Sequence, residues 1–128
     1  MFYSVFSTAS EKGNCGVWQR IPRLLDAMPG DFIAWRKLAV PKKGNSGHIV
    51  MIMEKPVEEK DGTVRIVVFD SSKSTHAKDS RPKGTSGVGI GTMWFSVDKT
   101  GAPVSYFWSS RKKKPKNLPI AIGRLRNV

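Results

Sequence analysis

Two apolar runs, Ile49 to Met53 and Val64 to Phe69, flank the polar connection Lys55-Pro56-Val57-Glu58-Glu59-Lys60-Asp61-Gly62, and the simplest joining is an antiparallel hairpin. Both runs carry apolar residues on both parities, the mark of strands buried on both faces in the middle of a sheet. A turn centred on Glu59 sets Ile52 opposite Ile66, Val50 opposite Val68 and His48 opposite Asp70. Opposed residues on one face have Cβ atoms about 5 Å apart, close enough for an imidazole and a carboxylate to hydrogen-bond. Such a carboxylate fixes the tautomer of the imidazole and stabilises its charged form. The pair also has a plain structural reading, a His at a strand start and Asp70-Ser71-Ser72 in an Asx-turn.

The 128 residues suit one domain with a single core, residues 1–28 forming its helical N-terminal part. One cysteine excludes an intramolecular disulfide framework and a cysteine-rich zinc site. No apolar run approaches the ~20 residues of a membrane span, and no secretory signal is visible in residues 1–16. The net charge of +12 favours polyanions such as nucleic acid, an anionic membrane or acidic cell-wall polymers, without choosing among them.

Phe2, Val5, Phe6 and Ala9 fall at helical spacing, so residues 2–12 read as an amphipathic helix. Its apolar face begins at the second residue with no capping segment, either because the chain enters in mid-element or because the end is frayed. Pro22 followed by Arg23 to Met28 reads as a short helix with proline in its first turn. Pro29-Gly30-Asp31 suits a type II turn into the strand Phe32 to Trp35, and the basic loop 36–45 leads to the central hairpin. After Asp70 the polar stretch 71–86 is long enough to be functional or disordered. Val88 to Val97 then pairs with Val104 to Trp108 across Asp98-Lys99-Thr100-Gly101, and Leu118 to Ile122 makes a last strand. Gly87, Gly89 and Gly91 leave one face of their strand bare, where a ligand or another backbone can approach. The expected architecture is α+β: a central antiparallel sheet of about six strands, barrel-like or strongly curved, with one or two N-terminal helices.

Cys15 is the one candidate nucleophile, yet a helix beginning there would hold Pro22 in its interior, and a small residue in a turn is the plainer reading. His76 and Asp79 could bind a metal or line a cleft, but two ligands without a third are a weak metal signal, and a solvated loop is the plainer reading. Trp18, Trp35, Trp94 and Trp108 lie in or beside apolar patterns and read as core rather than stacking platforms. The run Arg111-Lys112-Lys113-Lys114-Pro115-Lys116 reads as a solvated loop that adds non-specific polyanion affinity.

Pro29-Gly30-Asp31 leading into a strand, Ser46-Gly47-His48 opening a second and a third ending in a polar residue resemble the latter part of the papain-like NlpC-type cell-wall peptidases and the related cysteine, histidine-dependent amidohydrolases. The resemblance covers residues 29–70 best, and Asp79-Ser80-Arg81 with the glycine-rich strand is similar to a bacterial subgroup of that superfamily. It implies a partial papain-like fold, His48 as general base, Asp70 as its orienting residue, and a substrate cleft that takes in Trp35, Ser46, His76, Asp79 and Arg81. The substrate implied is peptidoglycan or a peptide, with no cofactor, in the cell envelope or outside the cell if the full-length chain is exported. The family nucleophile is a cysteine opening a helix, typically within Asp-Cys-Ser-Gly, and Asn14-Cys15-Gly16 departs from that pattern. The expectation is therefore that the nucleophile segment is missing and that the chain is truncated or inactive as it stands. The alternative is a non-catalytic basic β-rich module binding nucleic acid or an anionic glycan through residues 71–86 and 111–116.

Overall fold

The computed structural model describes residues 2–12, 16–39 and 46–126. Among the described residues it contains one α-helix, α1 (Phe2–Thr8), a 3-10 turn (Leu24–Asp26) and nine strands. These are β1 (Trp18–Arg20), β2 (Phe32–Arg36), β3 (Gly47–Ile52), β4 (Val57–Glu58), β5 (Val64–Ser72), β6 (Gly87–Val97), β7 (Pro103–Phe107), β8 (Lys116–Asn117) and β9 (Ile120–Leu125). Every strand pairing is antiparallel, in one open sheet of order β1-β9-β2-β3-β5-β6-β7-β8 with β4 beside β5.

This overturns the expected α+β, partial papain-like fold of about six strands with one or two helices. β1, β4 and β8 are two or three residues long, too short to leave a periodicity in the sequence. The expected opening helix stops at Thr8, and Ser10 instead bridges Gln19, its carbonyl accepting from the Arg20 amide at 3.0 Å. The proline-led second helix shrinks to one 3-10 turn because Arg23 and Ala27 on either side of it are extended, with ψ of 129° and 153°. Pro29 and Gly30 then form the expected turn, with Gly30 at φ 93° and the Asp31 amide donating to the Met28 carbonyl at 3.0 Å.

The main core covers one face of the sheet. Ile33 and Trp35 from β2, Val50 and Ile52 from β3, Val64, Ile66 and Val68 from β5, Met93 and Phe95 from β6 and Ile122 from β9 all point into it. Their period of two is the strand repeat. The sheet curls over this core until Tyr106 of β7 meets Trp35 of β2, ring centroids 4.6 Å apart. β5 is not buried on both faces as its composition suggested, since Arg65 and Phe69 on its other side are exposed.

The hairpin register differs from the expected one by two residues. Ile52 pairs with Val68 rather than Ile66. Asp61 Oδ1 accepts from the Thr63 amide and hydroxyl, Gly62 takes φ 87°, and β4 pairs with β5 as Val57 to Arg65, so the turn centres nearer Asp61 than Glu59. A slip of two keeps every side chain on its face, which is why His48 and Asp70 still share one.

On the opposite face α1 packs across β9 and β2, with Phe6 fully buried against Ala34, Ala121 and Trp18. Phe6 lies flat on Gly123, where a Cβ would run into the ring. Gly123→Ala is therefore expected to lower the unfolding free energy by about 1–3 kcal/mol, the usual cost of overpacking, read by denaturant titration. An unchanged midpoint would mean that α1 is not held against β9.

Candidate functional site

β2 and β3 pair so that Trp35 stands opposite His48, their ring centroids 5.4 Å apart. Gly47 makes this possible, because a Cβ there would collide with the Trp35 carbonyl. On the next strand Asp70, its side chain fully buried, accepts from His48 Nε2 at 2.7 Å on its Oδ2. The structure thus brings together the two residues singled out as base and orienting carboxylate.

Asp70 has two further partners. His76 Nε2 reaches the same Oδ2 at 2.8 Å, and Arg81 Nη2 donates to Oδ1 at 2.9 Å. Arg81 also grips Asp79 with Nε on Oδ1 at 2.8 Å and Nη2 on Oδ2 at 2.7 Å, while Nη1 donates to the Gly87 carbonyl at 2.8 Å. His76 Nδ1 lies 3.0 Å from the Trp108 carbonyl, and its ring packs on that of Trp108 at 4.1 Å. His76, Asp79 and Arg81, expected along a substrate cleft, are instead buried behind Asp70, with side-chain exposures of 0, 3 and 4 %. Both ring nitrogens of His76 are engaged, so it has no lone pair to offer a metal.

The reason lies in β6. β7 pairs only with residues 94–97 of that strand, leaving the edge of residues 87–92 unpaired by it. Residues 76–81 cover this edge: Ala77 and Thr92 exchange backbone hydrogen bonds at 3.2 and 2.7 Å, and the Ser80 amide donates to the Ile90 carbonyl at 2.7 Å. Lys78 takes the left-handed φ of 49° needed to turn between them. Side chains from the segment then cross the bare face of β6. A Cβ on Gly89 would lie 2.5 Å from Arg81 Nε, and one on Gly91 would lie 2.7 Å from Asp79 Oδ2 and from His76 Cβ. Gly89 and Gly91 make room for this buried clamp, whereas Gly87 has open space where its Cβ would stand and lines the larger cleft next to His48.

His48 is the exposed end of the network, its side chain 22 % accessible. It borders a cleft of about 710 Å³ with Trp35, Tyr106 and Trp108 as aromatic walls and Lys37, Lys73 and Lys116 among its lining residues. No acidic residue lines it among the described residues. A smaller cleft of about 220 Å³ lies between His48, Trp35, Ser46 and the start of α1 at Phe2 and Tyr3. Ser46 therefore borders this second space, and Trp35 borders both. Cys15 lies outside the described residues. Tyr106, Trp108 and Lys116 also reach the cleft, although Trp108 reads as core in the sequence, Lys116 as part of a solvated loop and Tyr106 only as a position in a strand. Among the described residues no helix is long and apolar enough to cross a membrane.

Burial pushes the Asp70 carboxyl up, but hydrogen bonds from His48 and His76 and the charge they can carry outweigh it and hold the group well below the usual carboxylate range. Hydrogen bonds from Arg81 pull Asp79 down to about 2 against the opposing effect of burial. Both groups bind a proton more weakly folded than unfolded, where the ordinary value is 3.8. Their stabilisation is thus complete above that value and drains away as pH falls toward the folded ones. The unfolding free energy is expected to drop between about pH 4 and pH 2, and Asp79→Asn to flatten that drop. Denaturant titrations across pH test this, and a stability that holds level down to pH 2 would contradict it.

No family model, curated protein or solved structure matches this chain, so the functional reading rests on the residues described above.

Proposed function

We propose that the chain carries the acid–base half of a cysteine-dependent amide hydrolase acting on peptidoglycan-type peptides. The observation that carries the reading is the division of labour on His48. Nε2 is committed to Asp70, while Nδ1 has no protein hydrogen-bond partner among the described residues and His48 borders both clefts. An imidazole so held can take a proton at one defined atom.

In this reading a thiol placed within about 3–4 Å of Nδ1 gives up its proton to His48, and the thiolate attacks the amide carbonyl. Nδ1–H then protonates the departing amine, and water releases the acyl group with His48 again acting as base. Asp70 keeps the ring oriented throughout and stays ionised. The lysines at the larger cleft suit a substrate that carries carboxylates, and its aromatic walls suit the apolar stem of a peptide or the face of a sugar. The smaller cleft, bounded by Phe2 and Tyr3, gives a thiol a second space from which to reach His48.

The test compares the chain as it stands with one extended ahead of residue 2 by an Asp-Cys-Ser-Gly-bearing segment, assayed on soluble peptidoglycan fragments for release of new amino groups. The extended chain is expected to hydrolyse them, and His48→Ala to reduce its rate at least ~100-fold, the low end for loss of a general base. Hydrolysis that survives His48→Ala would contradict the reading. So would salt-sensitive polyanion binding with no hydrolysis in either chain, the behaviour of a basic binding module.

A further inference from the structure

We propose that His76 is a buried imidazolium, a positioning residue which, with Arg81, balances the charges of Asp70 and Asp79 and leaves His48 as the one base of the cluster that can exchange a proton. Donors and acceptors must match on both sides of the His76 ring. His76 Nδ1 faces the Trp108 carbonyl at 3.0 Å and Nε2 faces Asp70 Oδ2 at 2.8 Å. A carbonyl only accepts, and Asp70, which also receives Arg81 on Oδ1 and His48 on Oδ2, acts only as an acceptor here. Both contacts of His76 are hydrogen bonds only if both of its nitrogens carry protons. A neutral ring would leave a lone pair pressed against the Trp108 carbonyl or the Asp70 carboxylate, depending on its tautomer, inside a fully buried site.

The charges then close without His48. Two carboxylates, Asp70 and Asp79, face two cations, Arg81 and His76, with all four side chains at most 4 % exposed. The charged and titratable groups around His76 are Asp70 on β5, His48 on β3, and Asp79 and Arg81 on its own segment; the Trp108 carbonyl after β7 is uncharged, and Gly91 of β6 brings no side chain. A second proton on His48 would add a third cation to a cluster already neutral. His48 is thereby held with its proton on Nε2 and its lone pair on Nδ1, the state a general base requires.

This assignment deepens the hydrolase reading, but its test needs no activity and can fail or stand separately from it. The chain has two histidines, so four ring nitrogens account for the whole imidazole nitrogen spectrum. Long-range proton–nitrogen correlation at pH 7 is expected to show His76 protonated on both nitrogens and His48 protonated on Nε2 alone. His76→Gln retains an N–H donor but removes the positive charge. In that variant the Asp70 carboxyl is expected to titrate at a higher pH than in the parent, read from its carboxyl carbon-13 shift, because the cation beside it is gone. A role confined to packing would leave that midpoint where it was. A neutral single tautomer at His76, a bare Nε2 at His48 or an unmoved midpoint would each overturn the assignment. Should His76→Gln fail to fold, the unmodified chain's spectrum decides the matter alone.

Discussion

The carboxylate of Asp70 accepts hydrogen bonds from His48, His76 and Arg81, three groups that reach it from an adjacent strand and from a segment beyond its own strand. Removing a carboxylate from water is costly, and it is tolerated where each lone pair finds a donor and each charge a partner. Asp70 meets that condition with charge-assisted bonds of 2.7 to 2.9 Å. The orientation of His48, the placement of residues 76–81 and the charge of the cluster all follow from it.

The surrounding architecture supplies the space. A side chain at position 89 or 91 would keep Arg81, Asp79 and His76 off β6, and without the short pairing of β7 the edge that Ala77 and Ser80 occupy would be taken. Because Arg81 ties Asp70, Asp79 and the Gly87 carbonyl together, the guanidinium fork sets the spacing between the sheet and the covering segment. The result is a rigid, buried rear wall with a single imidazole protruding into a lysine-lined cleft. An imidazole held this way is oriented once, at folding, by its bond to Asp70.

How much of this was legible in the sequence differs from part to part. The meeting of His48 and Asp70 could be read because strand parity alone decides faces, and an error of two in register leaves parity intact. The strand count could not, since elements as short as Val57–Glu58 and Lys116–Asn117 are created by tertiary pairing and carry no local pattern. His76, Asp79 and Arg81 were visible as a cluster of chemistry-bearing residues but were placed on a cleft, because a polar segment reads as solvent-facing. Their burial becomes inferable only when the bare face of Gly89 and Gly91 is matched with the nearest segment able to fill it. The second helix failed for a local reason, its few residues being held between two extended positions and a proline-glycine turn.

The account stands on one buried anion organising three donors, and replacing that anion is its most direct trial. In Asp70→Asn, measured by denaturant unfolding with amide exchange of residues 76–81, Arg81 and His76 are left as buried charges short of a partner. The account predicts a loss of about 3–5 kcal/mol, as for breaking a buried ion pair from one side, together with loss of amide protection across the covering segment. A variant within about 0.5 kcal/mol of the parent, with residues 76–81 still protected, would contradict it.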